Sequence, residues 1–196
     1  LCMNQRNLIP SSGNFKVIGK GKVLRYLRGH ISHAKESILI VGPWIDGYFV
    51  QEIIDSLPNN KIEVKFIVRI DGLERIDDKT LSALNLAQKN IENYEAKTLP
   101  KLHSKVIMID NETFYLGSTN WYWYSLNESL ELTIIGQAST IPGLTQELEE
   151  YWKNSDSISN KEISKHDDVN PIKEDIDEYA RKVLESDPKA FIISKK

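Results

Sequence analysis

His103-Ser104-Lys105 leads into the apolar run Val106-Ile107-Met108-Ile109, then Asp110, and after six further residues Gly117-Ser118-Thr119-Asn120. Side chains alternate faces along a strand, so His103 and Lys105 project together, and so do Ser118 and Asn120. Asp110-Asn111-Glu112 interrupts the apolar pattern as a hairpin turn would, and Thr113-Phe114-Tyr115-Leu116 resumes it with β-branched and aromatic residues. The spacing therefore predicts a tight antiparallel return that sets Ser118 and Asn120 beside His103 and Lys105. Downstream, Leu130, Leu132 and Ile134 alternate with Glu131 and Thr133. That alternation predicts a third strand that buries the apolar residues and turns Glu131 to the opposite face. Taken singly, each polar residue reads as surface or satisfied core, and Gly117-Ser118 as a turn pair. Together they gather a nucleophile, a cation, an amide, a hydroxyl and a carboxylate on one patch, the set that displacement at phosphorus without a metal requires.

These positions resemble the signature of the phospholipase D superfamily, H-x-K-x4-D-x6-G-S-x-N, which His103, Lys105, Asp110, Gly117, Ser118 and Asn120 meet throughout. The acidic residue that members carry downstream is best matched by Glu131, with Glu128 as the second register. Outside the motif the resemblance extends loosely from about Lys20 to Trp152, including an apolar strand Ile38-Leu39-Ile40-Val41 that ends at Pro43-Trp44. The resemblance implies that His103 attacks phosphorus and forms a phosphohistidine, so that one hard displacement becomes two easier ones. It casts Lys105 and Asn120 as donors to the non-bridging oxygens, with Ser118 in support. Glu131 is expected to accept a hydrogen bond from the second imidazole nitrogen and so to set its tautomer. Asp110 is expected to hold the hairpin rather than touch phosphate.

The signature occurs once. His30, His33 and His166 are the other histidines, and only His33 has a lysine two residues on, without the rest of the motif. The family mechanism needs a second imidazole to protonate the leaving oxygen and then activate water. Single-motif members supply it by pairing two chains across a two-fold axis, so a homodimer is expected. No cofactor is implied, and no metal either, since Cys2 and the scattered histidines lack zinc-ligand spacing.

The chain has 196 residues, 40% hydrophobic and 27% charged, which suffices for one domain with a substantial core. Its single cysteine rules out an internal disulfide framework and is compatible with a reducing compartment. No apolar run approaches the ~20 residues of a membrane span. A cytoplasmic location without stable membrane insertion is expected, although an anchor or leader upstream of Leu1 stays compatible with the sequence.

Helix signals cover Lys20 to Ala34, Phe49 to Leu57 and Lys79 to Asn90. Strand signals cover Ser37 to Trp44, Lys61 to Ile70 and Glu92 to Leu99, and a last helix runs from Pro142 through Trp152. The alternation argues for an α/β fold, a mixed β-sheet flanked by helices on both faces, as the phospholipase D resemblance also implies. The expected organisation is a catalytic domain over 1–153, a linker over 154–169 and a helical extension over 170–196. That extension opens at Asn170-Pro171 and is a candidate for protein contact.

Net charge is −3, yet the first 35 residues hold seven basic side chains and no acidic one. Such an edge suits a polyphosphate, because each cation that neutralises a phosphate releases counterions. It also reads as the solvated face of a helix whose Val23, Leu24, Leu27 and Ile31 point inward. Trp121, Tyr122, Trp123 and Tyr124 are expected to be mainly core or interface, with Trp121 and Trp44 rimming the site and contacting substrate. A metal-independent nuclease is the leading expectation. The alternatives are a phospholipase or phosphatidyltransferase, and a non-hydrolytic nucleic-acid-binding module of the same fold.

Overall fold

The computed structural model describes residues 15–70, 76–159 and 163. The chain runs β1 (Phe15–Ile18), α1 (Val23–Ile31), β2 (Ser37–Val41), α2 (Gly47–Ser56), β3 (Glu63–Ile70), α3 (Asp78–Asn90) and β4 (Tyr94–Pro100). It continues through β5 (Val106–Ile109), β6 (Thr113–Gly117), α4 (Trp123–Asn127), β7 (Thr133–Gln137), α5 (Leu144–Lys153) and β8 (Asp156–Ser157). The strands form one eight-stranded sheet in the order β1-β7-β6-β5-β2-β3-β4-β8. Strands β2, β3 and β4 are parallel, and every other pairing is antiparallel.

Local chemistry sets the element boundaries. The Asp46 side chain accepts from Phe49 N at 2.8 Å, an N-cap that starts α2, and Asp77 does the same for α3 through Thr80 N. Helix α1 buries Val23, Leu24, Leu27 and Ile31, the face that the sequence periodicity selects. It starts later than predicted, because Gly21 in the left-handed region (φ 69°) turns the chain just before it.

The two faces of the sheet are covered unequally. Helices α1, α2 and α3 pack over one, with Phe49, Phe66, Tyr115 and Trp121 completely buried. On the other, α5 lays Leu144, Leu148, Tyr151 and Trp152 against Val41, Ile67, Val106, Met108 and Phe114. Nothing described covers the β1 and β7 end of this second face, where Phe15, Val17, Leu132 and Ile134 are exposed. This reverses the predicted burial of β7, since Leu130 is 90% exposed and Leu132 63%. Thr133 and Ile135 are the residues that point into the core, because the helices lie on their side of the sheet.

After α5, the stretch expected to begin a linker adds β8, a short edge strand on β4. The rest of the expected linker, apart from Ile163, and the 170–196 extension lie outside the described residues, as does Arg6 of the basic stretch. Of that stretch, Arg28 forms a two-point pair with Glu52 and Lys20 pairs with Glu128. Among the described residues no helix is long and apolar enough to cross a membrane.

Candidate active site

The β5–β6 hairpin forms in the register that the motif spacing predicts, with Val106 opposite Leu116 and Ile109 opposite Thr113. Gly117 N donates to Lys105 O, so the start of the second half of the motif lies beside the first. A glycine is needed there, because a Cβ on Gly117 would stand 2.1 Å from Leu132 O. The residue that lets the backbones touch also brings the segment carrying Glu131 against Ser118. Ser118 N donates to Leu132 O at 3.0 Å, and Leu132 N donates back to Ser118 Oγ at 3.2 Å.

His103 is exposed in the loop before β5, while Lys105 is buried at 6% exposure. The Lys105 ammonium lies 3.0 Å from His103 Nδ1 and 3.3 Å from Nε2, and it donates to His103 O at 2.6 Å. Desolvation holds its pKa below the usual lysine value, and the nearby Glu131 charge opposes that shift. An ammonium that donates to a ring nitrogen requires that nitrogen to be unprotonated, the state in which an imidazole can be a nucleophile.

Glu131 makes different contacts from those expected. Its carboxylate accepts from Ser118 Oγ, from Ser125 Oγ at 3.1 Å and from Ser129 Oγ at 3.0 Å, so the hydrogen bonds given to it come from serines rather than from His103. Ser125 Oγ in turn accepts from Asn120 N at 2.8 Å. One carboxylate thus ties together the two halves of the Ser118-Thr119-Asn120 segment. Ser125 and Ser129 carry no signal in the sequence, because they enter through the fold of α4 and the turn after it. The Asn120 side chain lies beside Tyr122, and its Oδ1 is buried without a hydrogen-bond partner. An open hydrogen-bonding position on a buried amide at such a place suits a group that meets a ligand.

Asp110 sits at the other end of β5. Its carboxylate accepts from the backbone N–H groups of Lys35, Glu36 and Ser37 at 2.8–3.0 Å, which ties the hairpin turn to the start of β2. The turn itself runs through left-handed backbone at Asp110 and Asn111 (φ 54° and 53°), where Asp and Asn are better tolerated than most residues.

Of the two tryptophans expected at the rim, Trp44 makes a T-shaped contact with the His103 ring at 6.1 Å, and the Arg69 guanidinium lies over the Trp44 ring at 5.8 Å. Trp121 is not at the rim. It is completely buried, stacked on Phe49, and it donates from Nε1 to Val41 O. A Cβ on Gly42 would meet its ring at 2.5 Å, so the indole fills the space that a glycine leaves beside β2. Arg69 and the aromatic Tyr151, whose hydroxyl lies 3.2 Å from Ser104 Oγ, are neighbours of the motif that sequence reasoning did not identify. Among the described residues no group of three His, Cys, Asp or Glu side chains is placed to share a metal ion.

Comparison with known proteins places this geometry in context. A family model described as "Cardiolipin synthase, PLD-like domain" matches residues 27–155. A search of curated protein sequences finds no match. Among solved structures, the phospholipase D family member Nuc from Salmonella typhimurium superposes with a TM-score of 0.60 at 17% identity, over 74% of this chain and 99% of its own. NucT from Helicobacter pylori gives 0.60 at 21% identity over the same shares. The archaeal chromatin protein TrmBL2, described as binding DNA in a novel mode, gives 0.51 at 12% identity over 76% of this chain and 56% of its own. At these identities the likeness is one of fold, while the family match spans well over half of the sequence. A mixed sheet of this topology, and a motif hairpin lying within the matched stretch, agree with it: the chain belongs to the phospholipase D superfamily.

Proposed function

We propose that this protein is a metal-independent phosphodiesterase, and specifically a nuclease, that works through a phosphohistidine in a site shared by two copies of the chain. The observation that carries this reading is the buried Lys105 ammonium resting on the exposed His103 ring. A phosphodiester bound there draws the ammonium onto a non-bridging oxygen and uncovers the ring nitrogen for attack. That nitrogen bonds to phosphorus as the bond to the leaving oxygen breaks, and the leaving oxygen takes a proton from a general acid. Water then displaces the imidazole, which gives a phosphomonoester and restores His103. Lys105, Asn120 and Ser118 stabilise the charge on the non-bridging oxygens. Glu131 acts by keeping Lys105 charged and by setting Ser118 and Asn120, a role revised from its expected bond to His103.

The general acid is the reason for a second copy. Among the described residues, His30 is packed against Tyr115, and His33 Nδ1 is hydrogen-bonded to Gly29 O in the turn between α1 and β2. That turn lies at the Asp110 end of the hairpin. Neither imidazole is hydrogen-bonded at the His103 end of the hairpin, and a two-fold axis would supply His103 of another copy. The exposed strip of Phe15, Val17, Leu130, Leu132 and Ile134 flanks Glu131 and supports this arrangement, because an apolar surface of that kind beside a site marks a contact region. The same leucines are the one feature that favours the phospholipid reading, as an edge that could enter a lipid surface.

The test is a panel in EDTA of single-stranded DNA, duplex DNA, RNA and phosphatidylcholine vesicles, with the mass of the active species measured by light scattering. Cleavage of nucleic acid by a dimer is expected. Turnover of the lipid alone favours the second reading, and an active monomer refutes the shared site.

A further inference from the structure

Beside His103, the end of β4, the loop that follows it and the last turn of α5 line an open groove of about 670 Å³. None of the proposed steps uses its α5 wall. Leu99 and Leu102 supply an apolar side, and Tyr151, Glu150 and Asn154 face them from α5 and its end. Lys101 holds left-handed backbone (φ 61°), which turns the chain sharply between β4 and His103 and so shapes the loop side. The Tyr151 ring is fixed to the nucleophile's own loop, since its hydroxyl lies 3.2 Å from the Oγ of Ser104, the residue between His103 and Lys105. Glu150 Oε2 accepts from Asn154 Nδ2 at 3.4 Å, and Lys153 Nζ lies 3.6 Å from Oε1, so its charge is partly offset.

We propose that this groove is a subsite for the unpaired nucleobase next to the scissile phosphate, with Tyr151 as its stacking face and Glu150 as the acceptor for an amino group on the base edge. The proposal rests on the phosphodiesterase reading above and names its substrate as single-stranded nucleic acid. A substrate with phosphorus at His103 must place the adjoining substituent within a residue or two of that ring, and the groove begins at His103 itself. An aromatic ring, aliphatic side chains and a carboxylate suit a flat base that stacks on one side and donates along its edge. Bases in a duplex have both faces already stacked and so cannot take Tyr151 as a stacking partner. A quaternary ammonium headgroup is less well served, because its recognition relies on a cage of several electron-rich aromatic rings, and among the described residues lining this groove Tyr151 is the one such ring beside the His103 imidazole.

The experiment uses dinucleotides with a single phosphodiester in EDTA. Cytosine, uracil or no base is placed on each side of the phosphate in turn. In parallel, short cytosine and abasic oligomers are bound to the His103→Ala protein. On one side of the phosphate, kcat/KM is expected to be about ten-fold higher with cytosine than with no base, the scale of losing one stacked base. Uracil, which lacks the exocyclic amine, should fall between. Tyr151→Ala should erase the difference between base and no base, while Tyr151→Phe keeps it. Glu150→Gln should narrow only the gap between cytosine and uracil.

Cleavage by the wild type without regard to the base, or an unchanged ratio in Tyr151→Ala, overturns the groove assignment and leaves the phosphodiesterase reading standing. Absence of cleavage with base-dependent binding by His103→Ala does the reverse. Displacement of the oligomer from that protein by phosphocholine micelles assigns the groove to a lipid headgroup and also overturns the proposal.

Discussion

The two ends of the β5–β6 hairpin carry parts of one motif and are built in opposite ways. At the Asp110 end a carboxylate takes three backbone N–H groups and spends most of its accepting capacity on the protein itself. At the His103 end a buried ammonium leans on an exposed imidazole, and a buried amide oxygen has no partner. One end is closed on the protein's own backbone, and the other keeps hydrogen-bonding capacity open, which the proposed reaction would use for charge that develops at phosphorus. A stretch of 18 residues can hold both because a hairpin separates its turn from its open end by a whole strand length.

The sharpest break of that comparison is His103→Ala. It should lower turnover in EDTA by on the order of 10⁴-fold or more, while thermal melting stays as in the wild type. Activity near the wild-type level would remove the nucleophile assignment. Glu131→Gln comes next, with a loss of about 10²–10⁴-fold, because it strips the charge that opposes desolvation of Lys105 and loosens the serine cluster. An unchanged rate would hand the role to Glu128 or to neither residue.

Asp110→Ala tests the closed end. Denaturant unfolding should show a loss of about 2–3 kcal/mol, since three donors lose a charged acceptor, while the rate per folded molecule holds. A fall in rate without a fall in stability would mean that the two ends are not divided in this way.

The smallest effect concerns the strand between them. His30 Nδ1 lies 2.5 Å from Tyr115 OH, Nε2 is buried without a partner, and burial lowers the His30 pKa from 6.5 to about 4. The unfolded chain therefore binds the proton more readily than the folded one. The contribution is fully present above pH 6.5 and is lost as pH falls from there toward 4. For a partly exposed ring this amounts to on the order of 1–2 kcal/mol. Melting temperature measured from pH 7 to 4.5 should fall less steeply in His30→Phe than in the wild type.

Much of the site was legible because its geometry is local. Strand alternation and the three-residue turn Asp110-Asn111-Glu112 suffice to pair Val106 with Leu116 and to carry Ser118 back beside Lys105. The inward face of α1 was readable for the same reason, one helical period. The errors cluster where a partner arrives from elsewhere in the chain. Alternation in β7 shows that Leu130, Leu132 and Ile134 share a face, but both faces of that strand are apolar enough to be core, and helix placement puts Thr133 and Ile135 inside. Trp121, next in sequence to the motif residue Asn120, looks like a rim residue until Gly42 and Phe49 are seen to make room for it.

The sequence by itself determined the family and the pairing of the two strands that hold the motif, and it supplied the residues to which the proposed chemistry is assigned, since these follow from residue type and short-range spacing. Only the tertiary structure decided that Glu131 gathers three serines instead of the imidazole, that among the described residues no element covers the β1 and β7 end of one sheet face, and that α5 lines a groove beside His103. Each of those outcomes depends on which distant segment arrives at a given surface, and that is set by the packing of the whole sheet and its helices rather than by any local period.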